Sequence, residues 1–471
     1  MTHTIGRTLL ALGAGIVVQR GCQLVAFALA GHALGVSGLG VFAQGLAMAA
    51  VMTVIAGAGV NNLTARALAA EPGAARGLIA AAVRRRMNLG VVLAGLVMLV
   101  TGLSSEQPLF WWLCAMHVLP AAFDVKQLAD SVGRTRQEVA LETGASVLNL
   151  FAVAIVTSLG AASLEWLAGI SLATRLVHAA GAAMAMRRLP GSDEAPTAPV
   201  WRLRPALGQM AHEAMAMGDV WIVAALIGDE AAGYYALGSR FAAAALLPSM
   251  QLARLLLPHV LHAGADGNAP HTLATALRAT AFATLPMLAG AIVTARTLCC
   301  ICGDQFAAAA PTLCLLLLAG TLQHIGWQCS NTLLARGSDI AFARLFGWPA
   351  LLHALLLVLF PTMVPAREAA GALLAAIAAV LAHATYAVVG LVLLRPLWLN
   401  RPGLLRRPLL LAIGTGTTAA LPLTFGDGWL LLPAQLLTGA CGFVIGLWHL
   451  ELRGRWRTIG DGLAAASGLR I

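Results

Sequence analysis

The stretch Gly35-Val-Ser-Gly-Leu-Gly-Val-Phe-Ala-Gln-Gly45 decides the fold, because the chain contains it twice. The second copy, Gly228-Asp-Glu-Ala-Ala-Gly-Tyr-Tyr-Ala-Leu-Gly238, follows at a constant offset of 193 residues. Chance is the alternative explanation, since both segments are rich in glycine and alanine. The match predicts two homologous halves, with function at the interface between them. In register, the coinciding pairs are Gly35 and Gly228, Gly40 and Gly233, Phe42 and Tyr235, Ala43 and Ala236, and Gly45 and Gly238.

Each copy follows one long apolar run and opens another, which predicts the tight turn of a membrane hairpin. Glycine suits a short, closely packed connection in which a side chain would collide. The chain has 471 residues, of which 59% are hydrophobic and 11% are charged. Apolar runs of roughly 20 residues recur along nearly its whole length, so the sequence predicts an all-α polytopic membrane protein.

The formal charge of +10 comes almost entirely from arginine, because Lys126 is the only lysine. A basic chain can bind nucleic acid, but these arginines lie between apolar runs, as the positive-inside rule describes. With a cytoplasmic amino terminus, the loops predicted outside hold only Arg296 and Arg367. This asymmetry predicts an even number of spans, both termini in the cytoplasm and no nucleic-acid partner. Gln19 and Arg20 interrupt the first apolar run, so we expect a retained span rather than a signal peptide.

About 14 transmembrane helices fit this pattern, as two pseudo-symmetric six-helix lobes plus a C-terminal helix pair. Arg84-Arg85-Arg86 are expected in a cytoplasmic elbow between the second and third spans. The predicted domains are an N-terminal lobe at 1–188, a cytoplasmic linker at 189–204, a C-terminal lobe at 205–396, and a helix pair with a cytoplasmic tail at 397–471. The expected spans lie at about 8–33, 40–63, 87–104, 108–130, 140–158, 162–186, 205–227, 233–257, 275–298, 309–335, 341–361, 368–394, 408–424 and 429–450.

Two of these spans carry clusters of polar residues at membrane depth. Ionisable groups there cost several kcal/mol each, so they normally face a polar interior or a partner. In each cluster the side chains share one sector of the helix. The members are Gln19, Arg20 and Gln23 on the first span, and Gln209, His212, Glu213 and Asp219 on the seventh.

Arg20 and Glu213 are themselves separated by the 193-residue offset. If the two halves pack about a pseudo-twofold axis, these residues approach each other near the middle of the membrane. One interpretation is a static ion pair between the lobes, and the other is a pair that opens when substrate or a proton arrives. In the second interpretation Glu213, Asp219 and His212 are the ion-coupling or gating residues.

Two further arginines are expected at membrane depth. Arg175 shares a face of the sixth span with Ser171 and His178, and Arg240 follows the second copy of the repeated stretch. A guanidinium stays charged and offers a fork suited to phosphate, so a polar cavity lined with arginines predicts a site for an anionic head group. For Arg240 the alternative is that its side chain snorkels to an interface.

Signatures of catalysis and cofactor binding are missing from the sequence. It contains no Walker A loop, no nucleophile beside a base and no metal-ligand pattern. The cluster Cys299-Cys300-Ile-Cys302 is better explained as small apolar residues near a helix end than as a metal or redox site. We therefore expect no enzyme activity, no catalytic residues, no cofactor and no metal.

Three segments resemble bacterial polysaccharide repeat-unit flippases of the Wzx type, which belong to the multidrug/oligosaccharidyl-lipid/polysaccharide (MOP) exporter superfamily. The first is Gly35-x4-Gly-x-Phe42 followed by Gly57-Ala-Gly-Val-Asn-Asn62. The second is Gly228-x4-Gly-Tyr-Tyr-Ala-x-Gly-Ser-Arg240 followed by Leu255-Leu-Leu-Pro258. The third is Cys302-Gly-Asp-Gln-Phe-Ala-Ala-Ala-Ala-Pro311.

This resemblance implies two lobes around a central cavity that opens alternately to either side, with the first, second, seventh and eighth spans lining it. It implies a multi-pass protein of the bacterial cytoplasmic (inner) membrane, active in polysaccharide biosynthesis. The substrate would be an undecaprenyl-diphosphate-linked oligosaccharide, moved from the inner to the outer leaflet and driven by a proton or sodium gradient. The candidate substrate-binding residues are Arg20, Arg175, Arg240, Gln19 and Gln23.

Other functions remain open at this point. An ion-coupled multidrug or cation antiporter of the same superfamily would favour an acidic, aromatic-lined cavity. A membrane-embedded polysaccharide polymerase or ligase would need a large polar outer loop, and no predicted outer loop is long. A non-transporting scaffold would not need charges at the middle of the membrane.

Overall fold

The computed structural model describes residues 2–57, 60, 64, 72–124, 134–189, 218–250, 269–336, 338–363, 368–398, 406–420 and 432–447. Within these ranges the chain is helical and contains no β-strand, and each of the fourteen predicted spans contains a helix. The main helices are α1 and α2 (Thr2–Gly57, before and after Gly35), α3 (Ala75–Ser104), α4 (Pro108–Met116, followed by Val118–Ala121), α5 (Thr135–Ser158), α6 (Leu164–Arg187), α7 (Asp219–Leu226), α8 (Asp229–Ala245), α9 (Ala269–Cys300), α10 (Ala310–Ala335), α11 (Asp339–Met363), α12 (Glu368–Leu393), α13 (Arg406–Ala420) and α14 (Leu432–Leu447).

Eight helical segments in the described part of the chain are long and apolar enough to cross a membrane. They include the joined α1 and α2, and also α3, α5, α6 and the four long helices from α9 to α12. The protein is therefore a multi-pass, all-α membrane protein, which confirms the predicted fold class.

Gly35 is the point at which the first hairpin folds back. Its backbone has φ 71° and ψ −175°, in a region that glycine adopts without steric cost. The rings of Phe27 and Phe42 lie 6.4 Å apart on either side of it, whereas a straight helix would separate them by about 22 Å. The predicted hairpin is confirmed. The second helix begins directly after Gly35, a few residues before the predicted start at about residue 40.

The second copy of the stretch is built in the same way. Gly228 has φ 128° and joins α7 to α8, and the rest of the copy is helical. The later glycines of both copies therefore serve helix packing. A Cβ atom at Gly45 would collide with Phe110 and Cys114 of α4, and one at Gly238 would press on Leu313 of α10. Since α4 and α10 hold the same place in the two halves, the repeated glycines admit repeated neighbours.

The chain divides into two compact units, residues 3–233 and 234–471. In the first unit α5 packs against α6, and α4 packs against α3 and α6. In the second, α10 packs against α12, and the pair α13 and α14 packs against α9. The predicted linker at 189–204 lies, apart from Leu189, outside the described residues. The boundaries 1–188, 205–396 and 397–471 stay predictions.

The third helix begins earlier than the sequence suggested. It starts at Ala75, so Arg84, Arg85 and Arg86 lie inside α3 and not in a loop before it. Arg86 is buried, and its guanidinium donates to the carbonyl oxygen of Ala121 (2.9 Å) and to that of Asp124 (2.7 Å). The end of a helix leaves carbonyl groups without intrahelical partners, and an arginine with several donors can satisfy two of them. This is why a basic residue is tolerated inside the packed helix.

Candidate functional site

The arginine predicted at membrane depth on the first span is held by its own helix and by α5. Arg20 Nη1 donates to Gln23 Oε1 at 2.9 Å, and Gln23 Nε2 donates to Ser146 Oγ at 3.2 Å. Arg20 and Gln23 are half-buried, and Ser146 is buried. Residues three apart lie on one face of a helix. The structure therefore brings Arg20 and Gln23 together, on a side of α1 that is linked to a neighbouring helix.

A close approach of α5 explains this geometry. A Cβ atom at Gly15 would lie 2.8 Å from Val139, and Thr143 Oγ1 donates to the carbonyl oxygen of Gly15 at 3.1 Å. The absence of a side chain at Gly15 thus lets the two helices meet backbone to side chain. Thr143 and Ser146, three residues apart on α5, thus both present hydroxyl groups to α1. Gln19 is fully buried in this part of the molecule, and its amide finds no hydrogen-bond partner among the described residues.

The other predicted arginines have a different environment. Arg175 on α6 and Arg240 on α8 are both exposed side chains. They belong to different compact units, so each is described by itself. The described side-chain hydrogen bond of Arg20 is to Gln23, and not to Arg175 or Arg240.

The acidic cluster predicted on the seventh span is described only at its end. Gln209, His212 and Glu213 lie outside the described residues, and so does the predicted approach of Glu213 to Arg20. Asp219 is the first residue of α7 and is half-buried. A carboxylate there is stabilised by the positive end of the helix dipole.

Sequence reasoning missed an ion pair that joins α5 to α6. His178 Nε2 lies 3.0 Å from Glu138 Oε1, and the two side chains are 15% and 6% exposed. His178 was identified on the polar face of its span, but Glu138 was not, since it falls at the edge of the apolar run. The register between two packed helices cannot be read from either helix alone, so no pattern in the sequence pointed to this partner.

A buried pair of histidines was missed for the same reason. The rings of His353 on α11 and His383 on α12 lie 5.9 Å apart, and both residues are buried. Nearby helices of the same unit are linked by Ser330 and Tyr386, whose hydroxyl oxygens are 2.7 Å apart. The second unit therefore has a polar interior as well as the first.

The cysteine cluster is packed as predicted. Cys299 and Cys302 are fully buried, and Cys302 lies in the short connection after α9. Burial raises the pKa of the Cys302 thiol to about 12, so it stays protonated at neutral pH. The described residues contain no group of three or more potential metal ligands.

The two copies of the repeated stretch meet each other in a reciprocal contact. A Cβ atom at Gly40 would collide with the carbonyl oxygen of Asp229, and one at Gly233 would collide with the carbonyl oxygen of Val36. Gly40 and Gly233 are separated by 193 residues, and so are Val36 and Asp229. Exchanging the copies therefore reproduces the contact, which is the property of an interface around a twofold axis.

Hydrogen bonds reinforce this contact on one side. Gln44 Nε2 donates to Asp229 Oδ1 at 2.7 Å, and Trp221 Nε1 donates to the carbonyl oxygen of Gln44 at 3.1 Å. The three residues tie α2 to α7 and to the start of α8. With the predicted topology, this junction lies at the outer end of the helices.

Comparison with known proteins shows similarity in structure only. No family model matches the sequence, and no curated protein matches it. The inward closed conformation of the lipid II flippase MurJ superposes with a TM-score of 0.68 at 14% identity, over 93% of this chain and 98% of that one. An inward-facing multidrug resistance MATE family transporter of the MOP superfamily gives 0.60 at 15% identity, over 80% and 95%. A MOP superfamily transporter from Pyrococcus furiosus gives 0.59 at 14%, over 82% and 95%. The chain therefore has the fold of the MOP superfamily transporters.

Proposed function

We propose that the protein is a flippase that moves an undecaprenyl-diphosphate-linked oligosaccharide from the inner to the outer leaflet by alternating access. The observation that carries this proposal is the position of Arg20, in the first span and hydrogen-bonded through Gln23 to Ser146 of α5. Placing an arginine within a membrane span costs free energy unless the charge has a polar partner. A guanidinium matches the geometry and charge of a diphosphate, which could be such a partner.

The other predicted residues each have their own part in the proposal. Arg175 and Arg240 are exposed guanidinium groups that can contact an anionic head group as it passes. The amides of Gln19 and Gln23 can hydrogen-bond to phosphate oxygens or sugar hydroxyls. The lipid tail stays in the bilayer, so only the head group needs a polar path. The superposition with a lipid II flippase supports a lipid-linked substrate, since it covers nearly all of both chains.

Ion coupling is assigned to Glu213, Asp219 and His212, which would bind a proton or a sodium ion. The pair formed by Glu138 and His178 adds a titratable contact between two described helices. The proposal places the protein in the bacterial inner membrane with both termini in the cytoplasm. The described connections predicted outside, at 105–107, 159–163 and 301–303, are short. Short loops favour a transporter over a polymerase or ligase.

A multidrug or cation antiporter is the second candidate. The superpositions with MATE transporters support it, because the same fold serves multidrug resistance in those proteins. The two candidates make opposite demands on Arg20. An anionic head group needs its charge, whereas a cationic drug would be repelled by it.

The deciding experiment measures lipid-linked oligosaccharide in cells that lack this protein. We expect the intermediate to accumulate on the cytoplasmic face and to be cleared by the wild-type protein but not by Arg20→Ala. Arg84→Ala is the matched control, since Arg84 is an exposed arginine on α3 and should clear the intermediate normally. Unchanged lipid-linked sugars together with increased sensitivity to cationic drugs would overturn the flippase and establish the antiporter.

A further inference from the structure

A groove of about 670 Å³ lies in the first unit, between α2, α3, the start of α4 and α7. It is separate from the polar contacts between α1 and α5. Its described lining includes Val41 and Met48 of α2, and Trp221 of α7.

The groove changes from apolar to polar along α3. Leu96, Val97 and Val100 form the apolar end, and Ser104 and Glu106 belong to the polar end. Leu96 and Val100 are 55% and 53% exposed on a helix whose apolar length suits a membrane span, so this end opens towards the acyl chains of the bilayer. From Leu96 to Ser104 the helix rises about 12 Å, which is enough to reach from the hydrocarbon region to the interface.

The polar end of the groove offers acceptors. Thr101 Oγ1 donates to the carbonyl oxygen of Val97 and Ser104 Oγ to that of Val100, both at 2.8 Å. Their hydroxyl protons are therefore used inside the helix, and lone pairs remain for a ligand. Ser105 Oγ accepts from the Gln107 backbone at 3.1 Å. A ligand with several N–H donors suits such a surface.

Charge and aromatic rings point to the same class of ligand. Glu106 is the one charged residue among the described lining residues, and its side chain is exposed. Two indole rings, Trp111 and Trp221, lie in the same groove. The N–H of Trp221 is already donated to Gln44, so its ring has only its π face to offer. A carboxylate with indole faces attracts a cation, and repels an anionic head group.

We propose that this groove binds an amine-bearing phospholipid of the surrounding bilayer. The ammonium group lies against Glu106 and the indole rings, and an acyl chain follows Leu96, Val97 and Val100. The proposal goes beyond the proposed transport function, because the lipid is a resident of the membrane and not the transported substrate. It also places a lipid against Trp221, which helps to hold α7 on α2.

Native mass spectrometry of the full-length protein tests this proposal. The protein is released from detergent after incubation with equal amounts of phosphatidylethanolamine and phosphatidylglycerol. We expect the wild-type protein to retain phosphatidylethanolamine preferentially, and Glu106→Gln to reduce that retention about fivefold, the effect of losing one charged partner at an exposed site. Glu165→Gln is the matched control, because Glu165 is a carboxylate at the start of α6 that does not line the groove.

A second variant addresses the apolar end. Val100→Phe places a larger side chain in the groove and changes no charge. It should displace the bound lipid while Glu106 stays in place. The proposal would be overturned if the wild-type protein retained phosphatidylglycerol and phosphatidylethanolamine equally. It would also be overturned if Glu106→Gln retained as much phosphatidylethanolamine as the wild type. Neither result depends on whether the protein transports a lipid-linked sugar. A failure of this proposal therefore would not count against the proposed flippase function.

Discussion

Single glycines have separate tasks within the repeated stretch. Gly35 and Gly228 supply a backbone conformation that other residues adopt with strain. Gly40 and Gly233 supply room, because a Cβ atom at either would collide with the other copy's backbone. The sequence revealed that these positions matter, since they recur at one offset. It did not distinguish turn from packing, because both tasks require the same missing side chain.

Gly40→Ala is expected to disturb the contact between the copies by about 1–3 kcal/mol, the usual cost of overpacking, because a backbone carbonyl cannot rotate away. Thermal unfolding of the purified protein measures this. Gly13→Ala serves as the control, since a Cβ atom at Gly13 meets nothing within 4 Å. Alanine there should be neutral or slightly stabilising in a helix. Equal melting temperatures for the two variants would contradict the close contact.

Contacts between pairs of helices were the feature that the sequence predicted least well. Apolar runs located a described helix in each of the fourteen predicted spans, because an apolar run is a property of one segment. The ion pair between Glu138 and His178, and the hydrogen bond from Gln23 to Ser146, depend on which turn of one helix faces which turn of the next. That register arises from packing of side chains across the interface. Gly15 shows the effect, since its contact with Val139 decides how closely α5 approaches α1.

A double-mutant cycle on Glu138→Ala and His178→Ala should reveal coupling between α5 and α6. Each single change leaves a buried polar group without its partner, at a cost of about 1–3 kcal/mol. The double change removes both groups, so its cost should be smaller than the sum. Unfolding of the four proteins in one detergent measures the coupling. Strict additivity would show that the 3.0 Å contact contributes nothing to stability.

At the scale of the whole molecule, composition and the internal repeat predicted different aspects of the architecture. Composition and arginine placement predicted a polytopic helical protein, and the repeat predicted its duplication. The site was predicted less completely. Arg20 and Gln23 lie together as their spacing indicates, whereas Glu213 falls outside the described residues and its approach to Arg20 stays a prediction.

A chain cut within the predicted linker at 189–204 tests directly whether the contact between the copies holds the two parts of the chain together. Gly40 and Val36 would then belong to one fragment, and Gly233 and Asp229 to the other. We expect the two fragments to co-purify when expressed together, because the reciprocal contact does not need a covalent link. Gly40→Leu in the first fragment should reduce the recovery of the second, since a larger side chain collides with the Asp229 carbonyl. Equal recovery from both versions would count against the contact as a joint between the copies.

The reciprocity of that contact has a consequence for ancestry. Gly40 faces Asp229 and Gly233 faces Val36, and each pair becomes the other when the copies are exchanged. If the two halves arose by duplication, a half-length ancestor could have formed both contacts only by pairing with a second copy of itself. Such an ancestor would have been a homodimer in which one gene wrote both sides of the interface. After such a duplication, Gly40 and Gly233 would be encoded separately and could mutate independently. A side chain gained at either position would cause a collision that the other glycine could not relieve.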